Sequence, residues 1–169
     1  MRFNYSAFKA IYLHEMDRFR RTLMQSLLSP VLSTSLYFIV FGSVIGGYVE
    51  KIDGISYGSY IVPGLLMLTL LTQSITNTSF GIFFPKFNGT IYEILAAPIS
   101  TLEIVLAFVG AGATKTLIVG VVIFITANFF VEVDVKFPFL VIFLLILVAF
   151  TFALFGFLIG LMSSNFEQM

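Results

Sequence analysis

Apolar residues gather into four long blocks, at about residues 26–48, 60–80, 104–130 and 138–162. Each is close to the ~20 residues that carry an α-helix across a ~30 Å hydrocarbon layer. Of the 169 residues, 59% are hydrophobic and 11% charged, against about 45–50% and roughly 25% in soluble domains. A chain of this size cannot bury so much apolar surface in one core. A soluble enzyme is therefore excluded, and so is a disordered chain, which needs low hydrophobicity and high charge. The blocks predict helices, because lipid offers no partner to a free N–H or C=O and a helix satisfies both internally. Runs such as residues 140–150 do not alternate as barrel strands must. The predicted class is all-α: a polytopic membrane protein of four spans behind an N-terminal amphipathic helix.

Basic residues set the orientation. Arg2, Lys9, Arg18, Arg20 and Arg21 precede the first span, and Lys86 lies between the second and third. Lys51 and Lys136 lie in the other two connections, which also hold Glu50, Asp53, Glu132 and Asp134. The positive-inside rule then predicts a cytoplasmic N-terminus. The first block starts too far from Met1 to be a cleaved signal peptide. Nine basic and nine acidic residues cancel, which gives no reason to expect a nucleic-acid partner. With no cysteine, thiol chemistry and disulfides are excluded.

Two segments outside the spans carry a pattern. Over residues 4–23, Phe8, Tyr12, Met16, Phe19 and Leu23 recur at steps of three and four, with His14, Asp17, Arg18 and Arg21 opposite. That pattern predicts a helix lying in the headgroup layer, with Pro30 permitting a bend just inside the first span. An ordinary helix packed on a neighbour is the other reading. Residues 83–100 read FFPKFNGTIYEILAAPIS. Pro85 and Gly89 are expected to break the chain early and Pro98 to end it, leaving two helical turns between Thr90 and Ala97. Ile91, Ile94 and Leu95 share one side of that short helix and Glu93 another.

The stretch Tyr60-Ile-Val-Pro63-Gly64, then Ser79-Phe80, then Thr90-Ile-Tyr-Glu93-Ile-Leu95-Ala-Ala-Pro98-Ile-Ser100 resembles the permease subunits of the ABC-2 type, the membrane part of many bacterial ABC exporters. The Glu-Leu/Ile-Leu-x-x-Pro element before a new span is its most specific part. The resemblance covers the whole chain and implies a multi-pass protein of the bacterial cytoplasmic (inner) membrane. It further implies two permease subunits forming the path, as a homodimer, and two separate cytoplasmic ATPase subunits that bind ATP and Mg. The loop 83–100 becomes a coupling loop, with Phe87, Thr90, Ile91, Glu93, Ile94, Leu95 and Pro98 as the residues meeting the ATPase. Permeases of this family usually have six spans, so a chain ending at Asn165-Phe166-Glu167-Gln168-Met169 after four is expected to be a truncated form.

No catalytic residue, cofactor or metal site is expected in the chain itself. Residues Gly110 to Thr116 superficially resemble a phosphate-binding loop. That pattern needs glycines where Val109 and Thr114 stand, and a strand where a span runs. The small residues Gly110 to Ala113, with Gly156 and Gly160, instead predict close helix packing. Lys115 lies within a span and must snorkel or face protein and water; His14 reads as a surface residue. Thr69, Gln73, Thr76 and Asn77 form one stripe on the second span. It serves either the substrate path or packing between helices. The competing function is an ATP-independent transporter or channel, and a third is a membrane scaffold. Carriers coupled to ions commonly hold an acid deep in a span, whereas Glu93 and Glu103 sit at the cytoplasmic edge.

Overall fold

The structure is a computed structural model that describes residues 3–45, 51–52, 54–131 and 135–165. The end of the first block, Arg2, Glu50, Asp53, Glu132, Asp134 and the final residues 166–169 lie outside the described residues. Six helices are described: α1 (Tyr5–Arg21), α2 (Leu23–Tyr37), α3 (Tyr57–Phe87), α4 (Ile91–Ala96), α5 (Thr101–Phe130) and α6 (Pro138–Met162). A wider π-helical stretch, Phe38–Ile45, continues α2. Leu23–Phe41, α3, α5 and α6 are long and apolar enough to cross a membrane.

The helix ends follow local chemistry. Asn4 opens α1 by accepting the Ala7 N–H at 3.2 Å, while Arg18, Arg20 and Arg21 fill the last turn, where cations meet the negative end of the helix dipole. The chain breaks at Thr22, whose hydroxyl donates to the carbonyls of Arg18 and Phe19, so backbone acceptors left over at the helix end are satisfied. Pro30 does not interrupt the helix: α2 runs through that residue, which is buried. Ser100 and Glu103 form a reciprocal capping box at the start of α5. Pro138 occupies the first turn of α6, where no N–H bond is lost.

Two further differences from the sequence reading concern the loops. Pro85 does not break the second span, because α3 carries both Pro63 and Pro85 within it and ends at Phe87. The stop comes at Gly89, whose φ of +79° disfavours any residue with a Cβ. The connection before α3 holds a small hairpin, β1 (Lys51–Ile52) and β2 (Ile55–Ser56), paired Lys51↔Ser56 and Ile52↔Ile55. Gly54, at φ +82°, supplies the left-handed turn such a hairpin needs.

Helices α3, α5 and α6 form the centre. Ile82, Ile104, Phe108, Val109, Ala149, Ala153 and Phe157 interlock there. Between α3 and α6 the backbones nearly touch. A Cβ on Gly156 would stand 2.5 Å from the Ile75 carbonyl oxygen, and one on Gly160 would stand 2.6 Å from that of Ser79. Gly112 presses on Thr78 and Gly120 on Leu70. Gly110 is looser, with its nearest neighbour, the Tyr12 ring, 4.0 Å away. Approach this close lets side chains reach across: Ser74 Oγ donates to the Ala149 carbonyl and Ser79 Oγ to the Gly156 carbonyl, both at 2.8 Å.

Gly156→Val is expected to lower stability by about 1–3 kcal/mol through overpacking against α3. Ser74→Ala should cost only ~0.6 kcal/mol, the average for a hydrogen bond between membrane helices. Unfolding titrations in mixed detergent micelles measure both, and the order glycine above serine is the outcome that checks the packing.

Candidate functional site

The loop between α3 and α5 has two faces. Ile91 and Ile94 of α4, with Ile99 after it, pack against the central core. Tyr92 and Leu95, 74% and 61% exposed, point the other way with Glu93 and Pro98. The sequence reading placed Ile91, Ile94 and Leu95 together on one binding side. The structure divides them, because a six-residue helix resting on a core spends its more buried positions on that core. Thr90 is exposed and precedes the first turn of α4, and Phe87 stacks on Phe83 at 6.1 Å between ring centres.

Both ends of this loop are tied down. On one side Lys86 Nζ donates to the carbonyls of Leu161 and Ser163, at 2.6 and 2.8 Å, where the end of α6 leaves acceptors without helical partners. On the other, the Glu103 carboxylate accepts the Ser100 N–H at 2.7 Å and the Asn4 N–H at 2.5 Å. Asn4 Nδ2 also donates to the Pro98 carbonyl at 3.3 Å. The start of α1 is thus bonded to the end of the loop.

Helix α1 lies along α5. Tyr12 Oη donates to Thr114 Oγ1 at 3.0 Å, and Phe19 packs against Val119 and Ile123. Between them Lys115 Nζ meets Glu15 Oε2 at 2.7 Å, with side chains only 4% and 2% exposed. Arg18 joins the same oxygen at 2.8 Å from a half-buried position. Lys115 is therefore accommodated by a protein counter-charge. Arg18, expected on the polar face, turns inward to it, while His14, Asp17, Arg20 and Arg21 remain exposed. Glu15 is the residue that sequence reasoning missed. A signal existed: it falls on the apolar stripe itself, at a step of three after Tyr12 and four before Phe19, and an acid there implies a buried cation.

The stripe of Thr69, Gln73, Thr76 and Asn77 remains half-buried or exposed. Thr69 bonds its own Leu65 carbonyl, and Asn77 bonds Gln73 at 3.4 Å. Among the described residues none of the four bonds another helix; Ser74 and Ser79, on the adjacent face, do so instead. A crevice of about 540 Å³ between α3, α5 and α6, bordered by Leu70, Gly120, Phe124, Pro138 and Ile146, is apolar throughout and offers no group to orient a polar cargo. No cluster of metal-ligating side chains occurs among the described residues.

Residues 6–169 match the family model described as "ABC-2 type transporter". The chain is 37% identical over 163 residues to the inner membrane transport permease YadH of Escherichia coli (strain K12), and to the protein of the same name from Shigella flexneri. The alignment takes in 96% of this chain and 64% of the relative, so the chain spans a little under two thirds of the curated relatives' length. No solved structure matches.

Because the chain lacks cysteine, single introduced thiols report the two faces of α4. Tyr92→Cys and Leu95→Cys are expected to react with a membrane-impermeant maleimide several-fold faster than Ile94→Cys, since thiol reactivity follows exposure. Equal rates at the three positions would contradict the division of the helix.

Proposed function

The chain belongs to the ABC-2 type transporter family, and on that footing we propose that it forms the membrane permease part of an ATP-driven exporter in a bacterial inner membrane. Its N-terminus is cytosolic, which six basic residues on that side against two on the other support. A separate ATPase subunit binds ATP and Mg and docks on the outer face of α4. A second permease copy, as a homodimer, completes the path.

The observation that carries this reading is the split character of α4. ATP hydrolysis in one subunit alters another only if it favours one of that subunit's conformations. A contact that transmits such a bias needs an exposed surface for the partner and a stiff attachment behind it. Tyr92, Glu93 and Leu95 supply the surface, with Phe87 and Thr90 beside it. Ile91 and Ile94 on the core, Lys86 on the end of α6 and the Ser100–Glu103 capping box supply the attachment.

The stripe of Thr69, Gln73, Thr76 and Asn77 lines the path or the contact with the second copy. Among the described residues the amide groups of Gln73 and Asn77 bond only each other, at 3.4 Å, and such groups are costly against lipid and favour a wet or protein-covered face. The names of the relatives, transport permeases of the inner membrane, support the same assignment.

Leu95→Asp is expected to weaken association with the ATPase by ~2 kcal/mol, roughly thirtyfold in Kd, with membrane insertion unchanged. Co-purification from membranes across a salt-matched dilution series measures it. Cysteines at Thr90 and Glu93 should cross-link to a co-expressed ATPase. Unchanged association together with no cross-link would overturn the coupling role, and cargo movement in membranes lacking any ATPase would favour an ATP-independent transporter or channel.

A further inference from the structure

We propose that Glu15 is a positioning residue: its buried pair with Lys115 sets the register of α1 on α5 and so ties α1 and the loop that bears α4 into one coupling unit. What is coupled rests on the exporter reading above. What is tied rests on the geometry.

Three contacts advance in step along α1 and α5. Asn4 meets Glu103, Tyr12 meets Thr114, and Glu15 meets Lys115. The two helices therefore run side by side in the same direction, and the register that brings Glu15 to Lys115 also brings Asn4 to Glu103 and to the Pro98 carbonyl. Helix α3 passes close by as well, since a Cβ on Gly81 would stand 3.3 Å from Glu15 Oε2. A slip of α1 by one turn, about 5.4 Å, would strand the Lys115 ammonium in the interior without its counter-charge and pull Asn4 off the coupling loop.

The pair is poorly suited to a purely stabilising role. Glu15 Oε1 and the nearby Thr78 Oγ1, which sits against Gly112 on the adjoining turn, are buried with no hydrogen-bond partner. A well-packed apolar pair of similar volume would avoid that desolvation and hold the helices at least as firmly. What an apolar pair cannot do is reject neighbouring registers, because sliding grease past grease leaves no charge exposed to an apolar wall. The buried ion pair is thus a registry device. Its reach is mechanical: any displacement of the loop at Pro98 is shared by α1 through Asn4, and passed along α5 at Lys115.

The experiment uses the full chain in membranes, with cysteines at the exposed neighbours Phe3 and Ala97 joined by a short bismaleimide, in four forms: parent, Glu15→Gln, the charge swap Glu15→Lys with Lys115→Glu, and the apolar double variant Glu15→Met with Lys115→Met. Cross-linking is expected to fall about fivefold in Glu15→Gln and in the double methionine variant, and to recover in the swap. Thermal stability of the double methionine variant should equal or exceed the parent's, which separates register from stability. Stimulation of the co-expressed ATPase should fall and recover in parallel with the cross-link. Parent-level cross-linking in the double methionine variant would overturn the registry role. Lost cross-linking with full ATPase stimulation would overturn the coupling role of α1. A parent chain that never stimulates an ATPase would overturn the exporter reading and the coupling half with it, while the cross-links still decide the register.

Discussion

Within a hydrocarbon layer a polar group has only the protein to bond to, and each unsatisfied one costs several kcal/mol. Nearly every feature of this fold answers that constraint. The backbone is sealed inside long helices; Thr69, Thr72, Thr114, Thr116 and Thr126 return their hydroxyls to a carbonyl of their own helix. Where a hydroxyl instead crosses to a neighbour, as Ser74 and Ser79 do, it does so because glycines and alanines have brought two backbones into contact. The close α3–α6 seam and its serine bonds are one arrangement: the glycines bring the backbones together and the serines bond across the gap that remains.

The seam between α1 and α5 is built differently. Directional bonds from Asn4, Tyr12 and Glu15 alternate along it with apolar contacts from Ile11, Met16 and Phe19. Its bonds fix direction and register, whereas the glycine-lined seam holds by close van der Waals contact. The molecule thus joins a tightly packed trio of helices to an N-terminal helix held by directional bonds. The loop bearing α4 is fastened to both, to α6 through Lys86 and to α1 through Asn4.

Much of this was legible beforehand. Block length and composition expose four membrane-crossing helices, and the glycines at 112, 156 and 160 declare close packing. Thr90 and Pro98 bracket α4 to within a residue or two. Tertiary context decided the remainder. Pro85 looks like a helix breaker, but in the last turn of α3 only one backbone bond is at stake. The apolar side of α4 is visible in sequence, yet whether it serves a partner or the chain's own core is not, since a two-turn helix repeats too few positions to mark two faces. Glu15 stood out as an acid on an apolar stripe, but its partner, 100 residues away, could not be read from the local pattern. The stripe at Thr69 was legible as polar, while the serines beside it, which do the bonding, are less conspicuous because small hydroxyls disappear readily into a helix.

The span lengths have one more consequence. Helices α3 and α5 hold 31 and 30 residues, about 45 Å of helix at 1.5 Å per residue, against a hydrocarbon layer of ~30 Å. Even with the usual tilt, a turn or two of each rod is left over beyond the oily layer. If that surplus stands on the side of α4, the short helix rides on a pedestal at the far edge of the headgroups. A small sideways push there acts at the end of a long lever.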